Sequence, residues 1–378
     1  MAESKRKLLI LGSVPPPIGG ATIYFQTLLK TKIVEQFDVV FLDLKFADSV
    51  ADYGRFSVRK IVRLIGYVVR LSAALLRNRF AIVYAVIQFN RGAFIKDVAL
   101  TAVCRLFGKR VVGCMVGIGL ERLYDRSGWL MKGFIRRGVG LYYAFVTPSL
   151  EMYTRYFPAD LLPREKARVV PFGIFTDASA PHRTRLAESD PIRVIYYSHY
   201  IKTKGFDEVV GAIPLVEQKY PKTTFLFVGA WDSDTHRDSI MKVVESNGIA
   251  AHAKFLGVAT GDVKKRYLQD SDIFVLPTYF EFEGLPLSIL EAMSYGCAVI
   301  ATDHAAIASV IEDGVNGLIC RPRDSVDLAM KIISLIEDRD KLHLIQRNNI
   351  RKFQDYTAEK FGERLATELE ALCDFPVS

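Results

Sequence analysis

The sequence predicts an α/β fold made of two doubly wound domains, each a parallel sheet with helices on both faces. Short apolar runs of strand length alternate with helix-length segments, and this alternation is typical of parallel sheets. It occurs as two series, separated by the polar segment Thr176–Pro191, which has no sustained apolar period. The 378 residues are 50% hydrophobic and 24% charged, which fits about two globular domains and excludes disordered and collagen-like chains.

Each series predicts six strands with helical patterns between them. The first comprises Lys7–Val14, Phe37–Leu42, Ile82–Ile87, Arg110–Val116, Ala144–Thr147 and Arg168–Pro171. The second comprises Arg193–Tyr197, Thr224–Gly229, Ala253–Leu256, Ile273–Leu276, Ala298–Ala301 and Gly317–Cys320. We therefore predict one Rossmann-like domain over residues 1–175 and another over residues 190–355. Residues 356–378 contain a last helix, about Ala358–Cys373, that could pack on either domain, including back on the N-terminal one.

Positive charge is concentrated in the predicted N-terminal domain. The net charge of the chain is +8, and residues 55–137 carry 17 Lys and Arg residues against three acids. This asymmetry indicates an anionic partner, such as membrane lipid, lipid phosphate or nucleic acid. No helix-turn-helix, zinc-finger or RNA-binding pattern is evident, so we expect no nucleic-acid partner.

The segment Ser57–Arg79 predicts a basic amphipathic helix with Ser57 as its N-cap. Four arginines fall in one stripe about 40° wide on this helix: Arg59, Arg63, Arg70 and Arg77. One interpretation is a helix that lies on an anionic membrane surface. The other is a packed helix whose arginines form its solvated edge. A second basic patch around Trp129 favours the membrane interpretation. Because no run of 18 uncharged apolar residues occurs, we predict no transmembrane helix.

A strand, an acidic loop and a helix follow one another in Asp272–Gly317. Pro286 falls in the predicted first turn of the helix, and Gly296 ends it. A connection of this kind at the carboxyl edge of a parallel sheet is where such folds bind ligands. Free N–H groups at the helix start could hold a phosphate: those of Gly284, Leu285, Leu287 and Ser288. Glu283 and Glu291 could accept hydrogen bonds from sugar or ribose hydroxyls, although two solvated carboxylates would give the same pattern.

Residues 283–296 resemble a known signature. Glu283-Gly284-Leu285-Pro286, then Glu291-Ala292-Met293 and Gly296, are similar to the EGxPxxxxEAMxxG pattern of glycosyltransferase family 4. Looser similarities lie at Pro171–Ile174 and Phe255–Gly257. Members of this family are retaining enzymes with the GT-B fold. The resemblance therefore implies that the two Rossmann-like domains face a central cleft.

The resemblance also implies roles for individual residues. Glu283 would contact the donor sugar and Glu291 the nucleotide ribose, while the amides of Gly284, Leu285 and Leu287 would face the donor phosphates. Lys204, which precedes Gly205, matches the family lysine that binds the diphosphate, where a cation stabilises charge on the leaving group. We therefore expect Glu283 and Lys204 to be the catalytic residues.

Two positions depart from the family pattern. His199 stands where the family often has Arg, so His199 or Lys202 would have to replace that phosphate contact. Val116 stands where many members have a His near the reacting sugar. We still expect activity, because in front-side transfer the leaving diphosphate helps to deprotonate the acceptor. Gly19 and Gly20 resemble the N-terminal glycine loop and are expected to line the cleft, since they let N–H groups approach a ligand.

The resemblance implies a retaining hexosyltransferase that uses a nucleoside-diphosphate sugar. The basic N-terminal domain suggests a lipid-linked acceptor at the cytoplasmic face of the membrane, as in exopolysaccharide, capsule or lipopolysaccharide synthesis. Two alternatives remain: an epimerase or synthase with a soluble substrate, and a non-catalytic partner that binds membrane or nucleotide sugar. We expect no cofactor and no metal, because Asp232-Ser233-Asp234 matches a metal motif only superficially. Five cysteines without a CxxC pair fit reduced thiols in the cytoplasm.

Overall fold

The computed structural model describes residues 5–16, 19–46, 58–176 and 190–374. The chain divides into two compact units. The first comprises Met1–Phe175 together with Thr357–Ser378, and the second comprises Thr176–Tyr356. The division falls at the start of the polar segment, and the last helix belongs to the first unit.

Six strands of the described part of the first unit form one parallel sheet: β1 (Lys7–Gly12), β2 (Asp38–Asp43), β3 (Ile82–Ile87), β4 (Val111–Met115), β5 (Ala144–Thr147) and β6 (Ala167–Val169). Their order in the sheet is β2-β1-β3-β4-β5-β6. Every residue of β3, β4 and β5 is buried, as expected for central strands covered on both faces.

The helices of the first unit are α1 (Gly20–Leu28), α2 (Ile33–Gln36), α3 (Val58–Arg77), α4 (Arg91–Leu106), α5 (Leu120–Asp125), α6 (Trp129–Gly140) and α7 (Leu150–Tyr156), and the last helix of the chain, α14 (Ala358–Asp374). α14 packs on α1 and α2, where Gly362 lies against Thr31 and the Phe361 ring meets the ring of Tyr24. The predicted cap Ser57 lies outside the described residues.

The second unit has its own parallel sheet, described by six strands: β7 (Arg193–Tyr197), β8 (Thr224–Val228), β9 (Ala253–Phe255), β10 (Ile273–Leu276), β11 (Ala298–Thr302) and β12 (Gly317–Cys320). Its helices are α8 (Phe206–Glu217), α9 (Asp234–Ser246), α10 (Gly261–Gln269), α11 (Leu287–Ser294), α12 (Ser325–Glu337) and α13 (Arg339–Phe353). The order β12-β11-β10-β7-β8-β9 reverses direction between β7 and β10. Such a switch point leaves a crevice at the carboxyl ends of the two strands.

The predicted fold class is confirmed. Each of the twelve predicted strands is present in the described residues, and no end differs by more than two positions. Strands buried on both faces read as short continuous apolar runs, which is why the sequence marks them so clearly. Helix α11 begins one residue later than predicted, because Pro286 is its N-cap rather than part of its first turn.

Candidate active site

The candidate site lies at the switch point of the second unit. In the connection after β7, Lys202–Lys204 form a 3₁₀ turn that leads through Gly205 into α8. Gly205 has a φ of 78°, and a Cβ atom there would lie 2.4 Å from the carbonyl oxygen of Pro277, which follows β10. Only glycine tolerates both the backbone angle and the contact. The lysine-bearing turn is therefore packed directly against the end of β10.

Lys204 and Glu283 form an ion pair across these two strand ends. Lys204 Nζ lies 2.6 Å from Glu283 Oε2, and the side chains are 17% and 8% exposed. Thr278 donates its hydroxyl to the same carboxylate oxygen at 3.0 Å. Lys204 Nζ also lies 4.7 Å from the centre of the Phe280 ring. The two residues predicted to be catalytic are thus brought together in a largely buried corner, 79 positions apart in the chain.

The loop that carries Glu283 is held by the segment after β11. His304 lies with Nε2 2.8 Å from the carbonyl oxygen of Phe280, so this nitrogen must carry the proton. The N–H of Ala306 donates to the carbonyl of Gly284 at 3.3 Å. These contacts hold the backbone on both sides of Glu283, and its side chain is held by Lys204 and Thr278.

Glu291 lies in the second turn of α11 and is paired with a residue that the sequence analysis missed. Lys264 Nζ, on α10, donates to Glu291 Oε1 at 2.8 Å. Motif reasoning could not find Lys264, because no spacing connects α10 with α11. The α11 N-terminus presents N–H groups that helical geometry leaves without intrahelical acceptors, beginning with those of Leu287 and Ser288. Gly284 and Leu285 lie just before this terminus.

His199 and Lys202 both precede Lys204: Lys202 lies in the same 3₁₀ turn, and His199 lies three positions before that turn. Partial burial lowers the pKa of His199 below its usual value, and the positive charge of Lys204 lowers it further. His199 is therefore neutral at neutral pH and can offer a phosphate a hydrogen bond but no charge. Lys202 opens the 3₁₀ turn two positions before Lys204.

The predicted residues of the first unit lie at the carboxyl ends of its strands. Gly19 is the N-cap of α1, and its N–H donates to the Thr22 hydroxyl at 2.9 Å. Gly20 is the first residue of α1, so the prediction that both glycines belong to a loop is wrong for Gly20. Val116 follows β4 directly. The predicted cleft between the domains stays a prediction.

An apolar stripe is exposed along α3. Leu71 and Leu75 are buried, whereas the exposed apolar residues fall within an arc of about 100° that adjoins them. They are Val58, Ile61, Val62, Ile65, Val69 and Leu76. Val62 is 63% exposed and Leu76 is 75% exposed. The four arginines occupy the adjoining arc, and α3 contains no acidic residue.

α6 repeats this combination of exposed apolar and basic residues. Trp129 is 80% exposed and Leu130 is 68% exposed, and the helix also carries Lys132, Arg136 and Arg137 without an acid. The sheet order and the right-handed rule for crossovers put α3, α4 and α6 on the same face of the first sheet. Contacts of α4 with both α3 and α6 agree with that arrangement. The two exposed patches therefore lie on one face of the unit.

The acidic sequence Asp232-Ser233-Asp234 has a structural use. Asp232 Oδ1 lies 2.8 Å from His236 Nδ1, and Asp207 Oδ1 lies 2.8 Å from His236 Nε2. Ser233 is the N-cap of α9. Burial alone would lower the pKa of His236, but the hydrogen bonds with the two carboxylates raise it above its usual value.

The described residues show neither a cluster of metal ligands nor a membrane-spanning helix. Residues 5–16, 19–46, 58–176 and 190–374 contain no group of three or more His, Cys, Asp or Glu side chains placed to hold a metal ion. The same ranges contain no helix long and apolar enough to cross a membrane.

Comparison with solved structures identifies the fold. The chain resembles Anabaena Alr3699/HepE in complex with UDP, with a TM-score of 0.71, 18% identity, and coverage of 97% of this chain and 100% of the other. It also resembles the sucrose-phosphate synthase of Thermosynechococcus elongatus, with a TM-score of 0.70, 16% identity, and coverage of 97% and 99%. Together with the two six-stranded parallel sheets, these likenesses show a GT-B fold.

Sequence comparison finds a family match within the second unit. Residues 180–353 match the family described as "Glycosyl transferases group 1". The amylovoran biosynthesis glycosyltransferase AmsK of Erwinia amylovora is 25% identical over 46% of this chain and 42% of its own length. The putative colanic acid biosynthesis glycosyltransferase WcaL of Escherichia coli K12 is 23% identical over 56% of this chain and 52% of its own length. The matches span about half of these relatives, and they support a glycosyltransferase enzyme.

Proposed function

We propose that the protein is a retaining glycosyltransferase of family 4. It moves a hexose-type sugar from a nucleoside-diphosphate sugar to a lipid-linked saccharide during the synthesis of a surface polysaccharide. The observation that carries the proposal is the Lys204–Glu283 pair at the switch point, with Glu291 on the helix that follows. The polysaccharide context rests on the named relatives, and the UDP in the Alr3699/HepE complex supports a nucleotide-sugar donor.

The geometry suits a diphosphate leaving group. Lys204 supplies a cation paired with Glu283, which lies four positions before the first residue of α11. The N–H groups and the helix dipole at the α11 N-terminus favour an anion. A donor diphosphate between them would replace Glu283 as the partner of Lys204 and free the carboxylate for sugar hydroxyls. During transfer the bond from the anomeric carbon to the phosphate oxygen breaks, and a bond to the acceptor oxygen forms on the same face. The acceptor proton passes to the released diphosphate, so this transfer needs no enzyme nucleophile and no His at position 116.

Nucleotide binding tests the donor site. Calorimetric titration with UDP, GDP and ADP should give saturable binding of one of them to the wild type. Lys204→Ala should weaken it by about tenfold or more, because a charge-assisted phosphate contact is lost. The matched control is Lys222→Ala, an exposed lysine of the same unit. Equal affinities for the two variants would refute the assignment of Lys204.

We further propose that the basic face of the first unit rests on the cytoplasmic surface of the membrane. The exposed stripe of α3 and the exposed end of α6 offer apolar side chains for the acyl boundary, and their Arg and Lys residues offer charge complementary to anionic headgroups. Of the two interpretations of α3, this one is favoured because its apolar arc is exposed rather than packed. A peripheral protein so placed would meet a lipid-linked acceptor directly.

Vesicle binding tests this surface. Val62 and Met330 are each 63% exposed, but Val62 lies on α3 and Met330 lies on α12 of the second unit. Val62→Asp should weaken binding to phosphatidylcholine vesicles containing phosphatidylglycerol by about tenfold, whereas Met330→Asp should leave it unchanged. Binding should also fall when phosphatidylglycerol is omitted or salt is raised. Equal binding by the two variants would contradict the proposed membrane surface.

A further inference from the structure

We infer that Lys264 is a positioning residue for ribose recognition: it holds the Glu291 carboxylate ready to receive the ribose hydroxyls of a bound nucleoside diphosphate. The inference rests on the proposed function, because only that proposal assigns Glu291 to ribose. It adds a residue to the site for which no sequence motif gives a role.

The pair spans two helices that begin at the same edge of the sheet. Lys264 lies in the first turn of α10, which follows β9, and Glu291 lies in the second turn of α11, which follows β10. Both helices therefore start from carboxyl ends of parallel strands. The 2.8 Å contact joins residues 27 positions apart, so it depends on the tertiary fold and not on helix spacing.

The Lys264–Glu291 pair is partly shielded from solvent. The side chains of Lys264 and Glu291 are 26% and 20% exposed. Lys264 Nζ also lies 5.9 Å from the centre of the Tyr197 ring at the end of β7. Burial raises the pKa of Tyr197, and the negative charge of Glu291 raises it further, so this phenol is neutral. The Lys264 ammonium group thus contacts both the Glu291 carboxylate and the Tyr197 ring. These contacts restrict the side chains of Lys264 and Glu291.

This arrangement leaves Glu291 able to bind a diol. A carboxylate has about four lone-pair sites, so one hydrogen bond from Lys264 leaves capacity for two hydroxyl donors. An unrestrained Glu loses rotamer freedom when it binds a ligand. Because Lys264 has already fixed the carboxylate, that loss precedes ligand binding, and ribose meets a preorganised acceptor.

A simple structural brace between α10 and α11 would look similar but behave differently. Removing a brace weakens the site for every nucleotide by the same factor. Removing a ribose-positioning residue selectively weakens nucleotides that carry the full diol. The ratio of affinities for a ribonucleotide and its 2′-deoxy counterpart therefore separates the two roles.

The experiment is a calorimetric comparison of UDP, GDP and ADP with dUDP, dGDP and dADP. For the base that binds, the wild type should favour the ribonucleotide by about tenfold, the effect of one hydrogen bond to a charged group. Lys264→Met should reduce this ratio to about twofold or less, and Lys264→Arg should largely restore it. The matched control is Arg266→Met on the exposed side of α10, which should keep the wild-type ratio.

The outcomes separate the inference from the proposed function. If the wild type discriminates and Lys264→Met retains the same ratio, Lys264 is only a brace and the inference is overturned, while the proposed function stands. If the wild type binds nucleotides without discrimination, the ribose role of Glu291 and the inference fall together. If the wild type binds no nucleoside diphosphate, the proposed function falls as well. Should Lys264→Met not fold, Lys264→Gln carries the same prediction with a smaller expected loss.

Discussion

Replacing Lys204 with Met removes the cation from a largely buried carboxylate. In the wild type, Glu283 Oε2 accepts from Lys204 at 2.6 Å and from Thr278 at 3.0 Å, and its side chain is only 8% exposed. Without Lys204, the Glu283 carboxylate would keep one hydrogen bond, from the Thr278 hydroxyl, and would have little contact with water. Removing one partner of a buried ion pair costs about 3–5 kcal/mol, so we expect Lys204→Met to lower the free energy of unfolding of the second unit by about 3 kcal/mol.

The partner substitution should cost less. Glu283→Gln keeps a hydrogen bond with Thr278 and leaves Lys204, which at 17% exposed has better access to water. We expect a loss of about 1 kcal/mol. In the double variant neither charge is left unpaired, so its loss should be smaller than the sum of the two single losses by about 2 kcal/mol.

Tryptophan fluorescence gives a readout confined to one unit. The chain has two tryptophans, Trp129 in the first unit and Trp231 in the second. In a Trp129→Phe background, urea unfolding followed by fluorescence reports the second unit alone, and extrapolation to water gives its free energy of unfolding. Additive losses in the double-mutant cycle would refute the buried pair.

Two further predictions concern the same unit. His236→Gln should destabilise the second unit by about 1–2 kcal/mol at about pH 6. Only the protonated ring of His236 donates hydrogen bonds to both Asp207 and Asp232. Because that form is lost as pH rises through the raised pKa of His236, the destabilisation should become progressively smaller at higher pH. Urea unfolding at several pH values checks this, and a difference that grows with pH would contradict it. Gly205→Ala should weaken nucleotide binding by more than about tenfold, because φ is 78° and the added Cβ meets the Pro277 carbonyl, so the lysine turn must move. Calorimetry against wild type measures it, and unchanged affinity would show that the turn is not part of the site.

The fold could be predicted from the sequence for a physical reason. Parallel strands covered on both faces must be apolar at nearly every position, and Gly and Pro mark where the following connections begin or end. Gly296, predicted to end α11, indeed follows its C-cap and has a φ of 73°. The end of β1 was predicted two residues too far, because strand pairing stops at Gly12 although another apolar residue, Val14, follows.

The site was only partly readable. Glu283, Glu291 and Lys204 stand in recognisable local patterns, so sequence resemblance points to them. The pairing of Lys264 with Glu291 depends on how α10 and α11 pack, which no local pattern encodes. The exposed stripe of α3 was ambiguous for a related reason. Helical periodicity shows that a face is apolar but not whether another element covers it.

The most direct test of the account is nucleoside-diphosphate release from a panel of UDP-, GDP- and ADP-sugars, measured with and without a membrane extract that supplies lipid-linked acceptors. The account predicts release from one donor by the wild type, faster release with the extract, and a loss of at least about a hundredfold for Glu283→Gln. Product NMR on the same reaction should show the donor's anomeric configuration retained. Release that is unaffected by Glu283→Gln, or no release from any donor with the extract present, would contradict the proposed glycosyl transfer.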